Sequence, residues 1–137
     1  MPVNYNKGFD LPFTACGDAN TWQYNFVTTS GAGSEKRFIP SNGASGPVPL
    51  GVLQDDPQSL NVGAVRVFGS TLVKYDAAGT AITYGDFIMA GSTGMAVIAS
   101  GSIVQGIALT AIASGASIIG EAFIFPGGWS ALADNTP

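Results

Sequence analysis

Glycine recurs along the chain at intervals too short for a long helix, and this recurrence constrains the fold more than any other feature. The 137 residues include 19 glycines, whereas Leu, Glu, Lys and Arg are too scarce to build a long amphipathic helix. Short apolar or alternating runs lie between clusters of Gly, Asp, Asn and Ser, which is the pattern of strands joined by turns. Val65 and Val67, for example, face one way and Arg66 the other, as a half-buried strand requires.

The turn signals recur at roughly 8 to 12 residues through residues 51–125, a spacing typical of an all-β sandwich or barrel. We therefore predict a compact all-β domain of short antiparallel strands punctuated by glycine. Composition divides the chain into an extended N-terminal arm (residues 1–20), a β-rich domain (21–125) and a loose C-terminal tail (126–137). The candidate strands are TWQYNFVTT, AVRVF, TLVKY, DFIMA, MAVIA, SIVQGIALTAIA and SIIGEAFIF.

Charge is sparse for a domain of this size. Charged residues make up 10% of the chain and hydrophobic residues 46%, so Ser, Thr, Asn, Gly and apolar groups must cover much of the surface. Apolar surface on that scale indicates burial against other chains and hence a component of an assembly. The net charge of −4 argues against nucleic-acid and anionic-membrane partners, because both require clustered Lys and Arg.

Residues 87–120 carry no charge, which raises the question of a membrane-spanning helix. Ser, Thr, Gln and Gly interrupt this stretch every few residues and no Lys or Arg anchors flank it, so a sheet buried within an oligomer explains it better. The first residues lack a basic region followed by an apolar stretch. This predicts synthesis inside a cell without a signal peptide.

Few residues of the chain could carry enzyme chemistry. There is no His, which removes the commonest general base and metal ligand. Cys16 is the single cysteine, so neither an intramolecular disulfide nor a cysteine-based zinc site can form. The segments GSTLVK and GSTG do not match the phosphate-binding loop pattern. We therefore predict no catalytic residues, no metal site and no cofactor.

The acidic pair Asp55-Asp56 stands directly before Pro57 and the first strong strands. It could form a carboxylate dyad with a later acidic residue, or contribute oxygens to a calcium loop. The favoured interpretation is a tight turn in which Asp side chains accept hydrogen bonds from nearby backbone N–H groups, because Asp-Asp-Pro is a turn signature. Among the aromatic residues, a group of four is expected to pack a core or an interface and not to form a sugar-stacking platform: Trp22, Tyr24, Phe26 and Trp129.

The order of several short motifs resembles a known family. The motifs are Gly51 to Gln54 followed by Pro57, a strand pair ending near Lys74, an A-I-x-x-G-D turn at 81–86, a hairpin centred on Gly94, and GIALTA at 106–111 before a final strand. In this order and spacing the chain resembles the small capsid decoration (cement) proteins of tailed bacteriophages. The resemblance covers residues 49–57 and 63–125, and no single motif within it is specific.

The resemblance implies a β-tulip or barrel-like domain that assembles as a homotrimer and is not an enzyme. It implies a virion protein, made in the host cytoplasm, that sits on the outer capsid surface and cements adjacent major capsid proteins. By analogy with the arms of such proteins, Tyr5, Phe9, Phe13 and Trp22 are expected to contact the capsid. A separate hypothesis is that the acidic Asp55 and Asp56 face basic loops of the capsid protein. Truncation of residues 1–20 is then expected to abolish head binding and to leave the domain folded.

Other classes of protein also fit parts of the pattern. A tail- or fibre-associated virion protein that binds a host surface would suit the aromatic residues and the trimeric habit. A biotin- or lipoyl-type carrier domain would need an exposed Lys in a tight hairpin, a position that Lys74 fits poorly. A carbohydrate-active enzyme would need a pair of carboxylates lining a cleft.

Overall fold

The computed structural model describes residues 8–19, 21–30, 37–43, 49–99 and 104–129, excluding the side chains of 126–129. This part of the chain is built from strands joined by loops and contains no α-helix, which confirms the all-β prediction. No helix in it is long and apolar enough to cross a membrane. The strands are β1 (Gly8–Ala15), β2 (Phe26–Thr29), β3 (Arg37–Pro40), β4 (Gly51–Leu53), β5 (Val62–Asp76), β6 (Phe87–Ala90), β7 (Ala96–Ile98), β8 (Val104–Ala108) and β9 (Ser117–Trp129).

The longest strand, β5, is shared by two rings of strands. The first ring runs in the order β5–β1–β3–β2–β4 and returns to β5. The second runs in the order β5–β9–β8–β6–β7 and also returns to β5. Neighbouring strands are antiparallel except in two pairs, β1–β3 and β5–β7. Each described strand therefore has a neighbour on both sides.

β5 changes one of its neighbours at Gly69. Up to this residue β5 pairs with β1, and from it onward β5 pairs with β9. Gly69 has a φ of 117°, a conformation open to glycine but rarely adopted by residues with a side chain. The backbone stays extended through the change of partner, so the runs AVRVF and TLVKY, predicted as separate strands, form one strand of 15 residues.

Each ring encloses its own hydrophobic core, and β2 and β4 contribute to both. Successive side chains of a strand point to opposite faces. Val27 and Leu53 therefore enter the first core, whereas Phe26 and Val52 enter the second. The first core also contains Phe13, Ala15, Ala19, Phe38, Val65 and Val67. The second is completed by Val73, Tyr75, Ala77, Ile82, Ile88, Ala90, Ala96, Ala108, Ile112, Ala122 and Ile124.

Tyr75 is the largest fully buried side chain of the second core. Its hydroxyl donates a hydrogen bond to the backbone carbonyl oxygen of Glu121 at 2.6 Å. Burial raises the pKa of Tyr75 far above its ordinary value, and the negative charge of Glu121 acts in the same direction. The phenol therefore stays neutral through the physiological range and ties β5 to β9 from inside the ring.

The backbone of β4 at Gly51 lies very close to the backbone of β5. A Cβ at this position would overlap the backbone carbonyl oxygen of Arg66. We expect Gly51→Ala to lower the free energy of unfolding by about 2 kcal/mol, because β4 must move away from β5 to admit the methyl group. Gly79→Ala is the matched control, since a Cβ there meets nothing within 4 Å. Urea denaturation compares the two variants, and equal stability would contradict the close approach of β4 to β5.

Candidate functional site

The structure places the aromatic residues predicted to contact a capsid in different environments. Tyr5 lies outside the described residues. Phe13 is 8% exposed within the first core, and Trp22 is half-buried with its ring edge-on to Phe38 at a centroid distance of 6.1 Å. Phe9 is 61% exposed. The Phe9 side chain is therefore accessible to another molecule, whereas the Phe13 side chain packs in the first core. Contact with a capsid stays a prediction.

Much of the predicted N-terminal arm is the strand β1. It pairs with β5 from Gly8 to Thr14 and with β3 at Thr14 and Ala15. The described part of the segment closes the first ring. Pairing on both sides was not visible in the sequence, where Gly8 and Pro12 indicated an irregular segment.

The acidic pair lies in the β4–β5 loop, residues 54–61. The carboxylate of Asp55 accepts a hydrogen bond from the backbone N–H of Ala64, on β5 across the loop, at 3.2 Å. The hydrogen-bonded turn of the loop lies at Gln58–Asn61, where the Asn61 N–H donates to the Gln58 carbonyl oxygen at 3.0 Å, a few residues after the position predicted for it. Asp56 beside it is exposed. In the described part of the chain, no group of three or more His, Cys, Asp or Glu side chains could hold a metal ion. Asp55 thus has a structural partner, and Asp56 carries the loop's solvent-facing charge.

Leu60 is an unexpected residue for its position in this loop. Its φ of 66° is a left-handed conformation, which costs a leucine about 1–2 kcal/mol, and its side chain is 62% exposed. Two backbone hydrogen bonds to Ala15 hold the Leu60 backbone in place. The Leu60 N–H donates to the Ala15 carbonyl oxygen at 3.0 Å, and the Ala15 N–H donates to the Asn61 carbonyl oxygen at 2.9 Å. Neither the left-handed backbone conformation nor the exposure of this position favours leucine.

A shallow hollow of about 350 Å³ lies beside the loop, lined by β1 and the start of β5. Val62, which is 63% exposed, lines this hollow together with apolar and acidic residues. The lining residues are Asp10, Leu11, Pro12, Asp55, Val62, Gly63 and Ala64. We call Asp56, Leu60, Val62 and this hollow the end surface. Its negative charge and exposed aliphatic groups fit a protein segment that offers basic and apolar side chains.

A second apolar surface crosses five strands on the outside of both rings. Phe9 pairs with Phe68 across β1 and β5, and the Phe68 ring meets that of Phe123 edge-on, with centroids 5.3 Å apart. Phe123 pairs with Ile107, which pairs with Phe87. Phe68 and Phe87 are about half exposed. We call these five residues the outer strip. Sequence reasoning identified only Phe9 among them, because membership of the strip depends on the strand order.

The comparisons with known proteins bear on the fold. No protein-family model matches the chain, and no curated protein matches it. Among solved structures, the crystal structure of the head fiber gp8.5 N base in bacteriophage phi29 is similar, with a TM-score of 0.62 and 19% sequence identity. The similarity covers 88% of this chain and 96% of that chain. The two proteins share a fold.

Proposed function

We propose that the protein is a structural component of a bacteriophage head and not an enzyme. In this proposal it binds the outer surface of the expanded shell as a homotrimer and cements neighbouring copies of the major capsid protein. The observation that carries the proposal is the fold shared with a phage head fiber base over 96% of that chain. The motif order that resembles capsid decoration proteins supports the same class.

The end surface is the proposed contact with the major capsid protein. Its loop is held by backbone hydrogen bonds before any partner arrives, so little ordering entropy is lost on binding. Asp56 supplies charge toward a basic capsid loop, and Leu60 and Val62 supply apolar area. Each described strand already has two neighbours, so side chains of the end surface, and not addition of a strand to the described sheet, would carry the contact.

Co-sedimentation with heads of the source phage tests the proposal. Purified protein is mixed with compact precursor shells and with expanded shells, and bound protein is measured against concentration. We expect saturable binding to expanded shells only. Absence of binding to either shell would overturn the assignment to the head surface.

Leu60→Asn separates the recognition role of this residue from a folding role. Asparagine tolerates the left-handed conformation, so the free energy of unfolding should be unchanged or higher by up to about 1 kcal/mol. Loss of the leucine side chain should weaken binding to expanded heads about tenfold, equivalent to about 1.4 kcal/mol. Tyr84→Ser is the matched control, because Tyr84 is 73% exposed and belongs to the second ring. Unchanged head affinity of Leu60→Asn would remove the end surface from the proposal.

A second candidate is a fibre- or tail-associated virion protein that takes part in host-surface binding. The neighbour named above is the base of a head fiber, which favours a role in anchoring a fibre. Immunogold labelling of virions distinguishes the candidates. Label spread over the head shell supports the cement role, and label confined to fibres or the tail supports the second.

A further inference from the structure

We propose that the outer strip is a seam between copies of this chain. The proposal deepens the proposed function, from which it takes the expectation that copies associate, and it names the surface through which they do so. The five side chains of the strip form one continuous apolar band across β1, β5, β9, β8 and β6. All five residues of the strip lie in strands, so the band is fixed by the sheet and not by a loop.

The area of the strip suits the centre of a subunit interface. Phe9, Phe68 and Phe87 are 61%, 49% and 51% exposed. Since a phenylalanine buries about 150–250 Å² when fully covered, these three rings alone leave about 300 Å² of apolar surface in water. A stable interface buries about 800 Å² per partner, with an apolar aromatic centre and a polar rim. The strip supplies that centre, and Ser70, which pairs with Phe123, begins the rim.

The charge around the strip favours a second copy over a partner of opposite charge. The chain carries a net charge of −4, so two copies repel each other except across neutral surface. No side chain of the strip is charged. At one end Arg66 pairs with Asp10. Farther along β9, Glu121 lies diagonally across from Lys74 of β5 on the same face. Asp86, next to Phe87, accepts a hydrogen bond from the backbone N–H of Thr83 at 2.8 Å. The side chains of the strip are therefore neutral on an acidic molecule, with one carboxylate at the Phe87 end.

The two ends of the strip are chemically alike, so each end can pack against either end of a second copy. One end carries Phe9 and Phe68, and the other carries Phe87 beside Ile107. Either end can lie against the other end of a second copy and bury ring against ring, so the surface is complementary to itself in a two-fold pair and in a closed ring.

Sedimentation velocity of the full chain over a concentration series tests the seam. We expect the wild-type protein to associate, and the double variant Phe68→Ser/Phe87→Ser to show a dissociation constant at least 100-fold higher. Tyr84→Ser is the matched control, since it removes a more exposed aromatic ring outside the strip and should leave association unchanged. Urea denaturation of each variant, followed by circular dichroism, checks that the folded state is retained.

The single variants provide a second measurement if the double variant fails to fold. Phe87→Ser alone is expected to raise the dissociation constant about tenfold, because half of this ring is already in water and its removal leaves both cores intact. A wild-type protein that stays monomeric at all concentrations overturns the seam. Folded strip variants that associate as well as wild type also overturn it.

Head binding and self-association fail independently in this design. Strip variants that keep their oligomeric state but lose binding to heads would assign the strip to the capsid contact and overturn the seam. The opposite outcome is a wild-type protein that does not bind heads but associates, with strip variants that are monomeric. That outcome would support the seam and remove the proposed function.

Discussion

Removal of residues 1–20 is expected to unfold the first ring. β1 closes that ring by pairing with β5 on one side and β3 on the other, and it contributes Phe13 and Ala15 to the first core. Losing the buried Phe13 ring alone should cost about 3–5 kcal/mol. The buried Arg66 would also lose its carboxylate partner. The summed cost is about 5 kcal/mol or more, comparable to the whole stability of a typical domain.

Deletion of residues 1–7 is the matched control, because it leaves the whole of β1 in place. We expect this shorter deletion to keep a cooperative urea transition close to that of the full chain, and the deletion of residues 1–20 to lose it. Near-ultraviolet circular dichroism follows the packing of Trp22 and the other rings in the same samples. A cooperative, wild-type-like transition after removal of residues 1–20 would show that β1 is dispensable and would restore a separable arm.

The structure therefore changes how the arm hypothesis is tested. Failure of the long truncation to bind heads would no longer identify a contact, since the end surface rests on backbone hydrogen bonds to Ala15. Substitutions of Tyr5 and Phe9 are more informative. Phe9→Ser removes an exposed ring that belongs to the outer strip, so its effects on head binding and on self-association must be measured together.

The alternation of apolar and polar residues predicted the class of fold and most strands, but it could not show which strands pair. DFIMA and SIIGEAFIF correspond to β6 and to most of β9. By contrast, β1 was missed because Gly8 indicates a break in a strand. Here a Cβ at Gly8 would overlap the Arg66 side chain and the Phe68 carbonyl oxygen, so glycine is required for close approach. That requirement depends on the partner strand, which the local pattern does not specify.

One signal in the sequence does point to the second ring. The pattern Ala-Ile-x-x-Gly occurs at residues 81–85 and again at residues 111–115. In the structure Ile82 and Ile112 exchange backbone hydrogen bonds, at 2.9 and 2.7 Å, and both are buried. Each repeat continues through a turn with a glycine at positive φ into a strand, β6 in the first and β9 in the second. Because an internal repeat indicates equivalent structural units that pack on each other, this repeat favours a pairing of the two segments that alternation alone does not reveal.

The candidate site was less predictable than the fold. The role of Asp55 as a hydrogen-bond acceptor follows from residue type, whereas its donor, the Ala64 N–H on β5, depends on the fold. The conformation of Leu60 does not follow from residue type, since nothing in the sequence reveals an exposed leucine with a left-handed backbone. Arg66 likewise follows the predicted alternation with Val65 and Val67, yet it is 2% exposed because β1 supplies a carboxylate beside it.

Asp10→Ala is expected to destabilise the protein by about 3 kcal/mol, more than Arg66→Met. The Arg66 guanidinium is buried and binds Asp10 through two nitrogens, Nε to Oδ1 and Nη2 to Oδ2, the latter at 3.2 Å; a third nitrogen, Nη1, donates to the Ser70 carbonyl oxygen at 2.5 Å. Removing Asp10 leaves a buried positive charge without the carboxylate that neutralises it, which costs about 3–5 kcal/mol in such pairs. Because the Asp10 side chain is 35% exposed, the lower end applies.

The reverse change leaves a different group behind. In Arg66→Met the remaining charge is Asp10, which already reaches water, and methionine fills the space of the arginine stem, so the expected loss is about 1 kcal/mol. The double variant Asp10→Ala/Arg66→Met should therefore be more stable than Asp10→Ala alone, and Asp56→Ala, an exposed carboxylate, should be neutral. Urea denaturation of the four proteins and the wild type closes a double-mutant cycle. Equal losses for Asp10→Ala and Asp56→Ala would mean that Arg66 is hydrated and does not hold β1 against β5. The predicted asymmetry would mean that one buried charge fixes the strand that both closes the first ring and carries Phe9 into the outer strip.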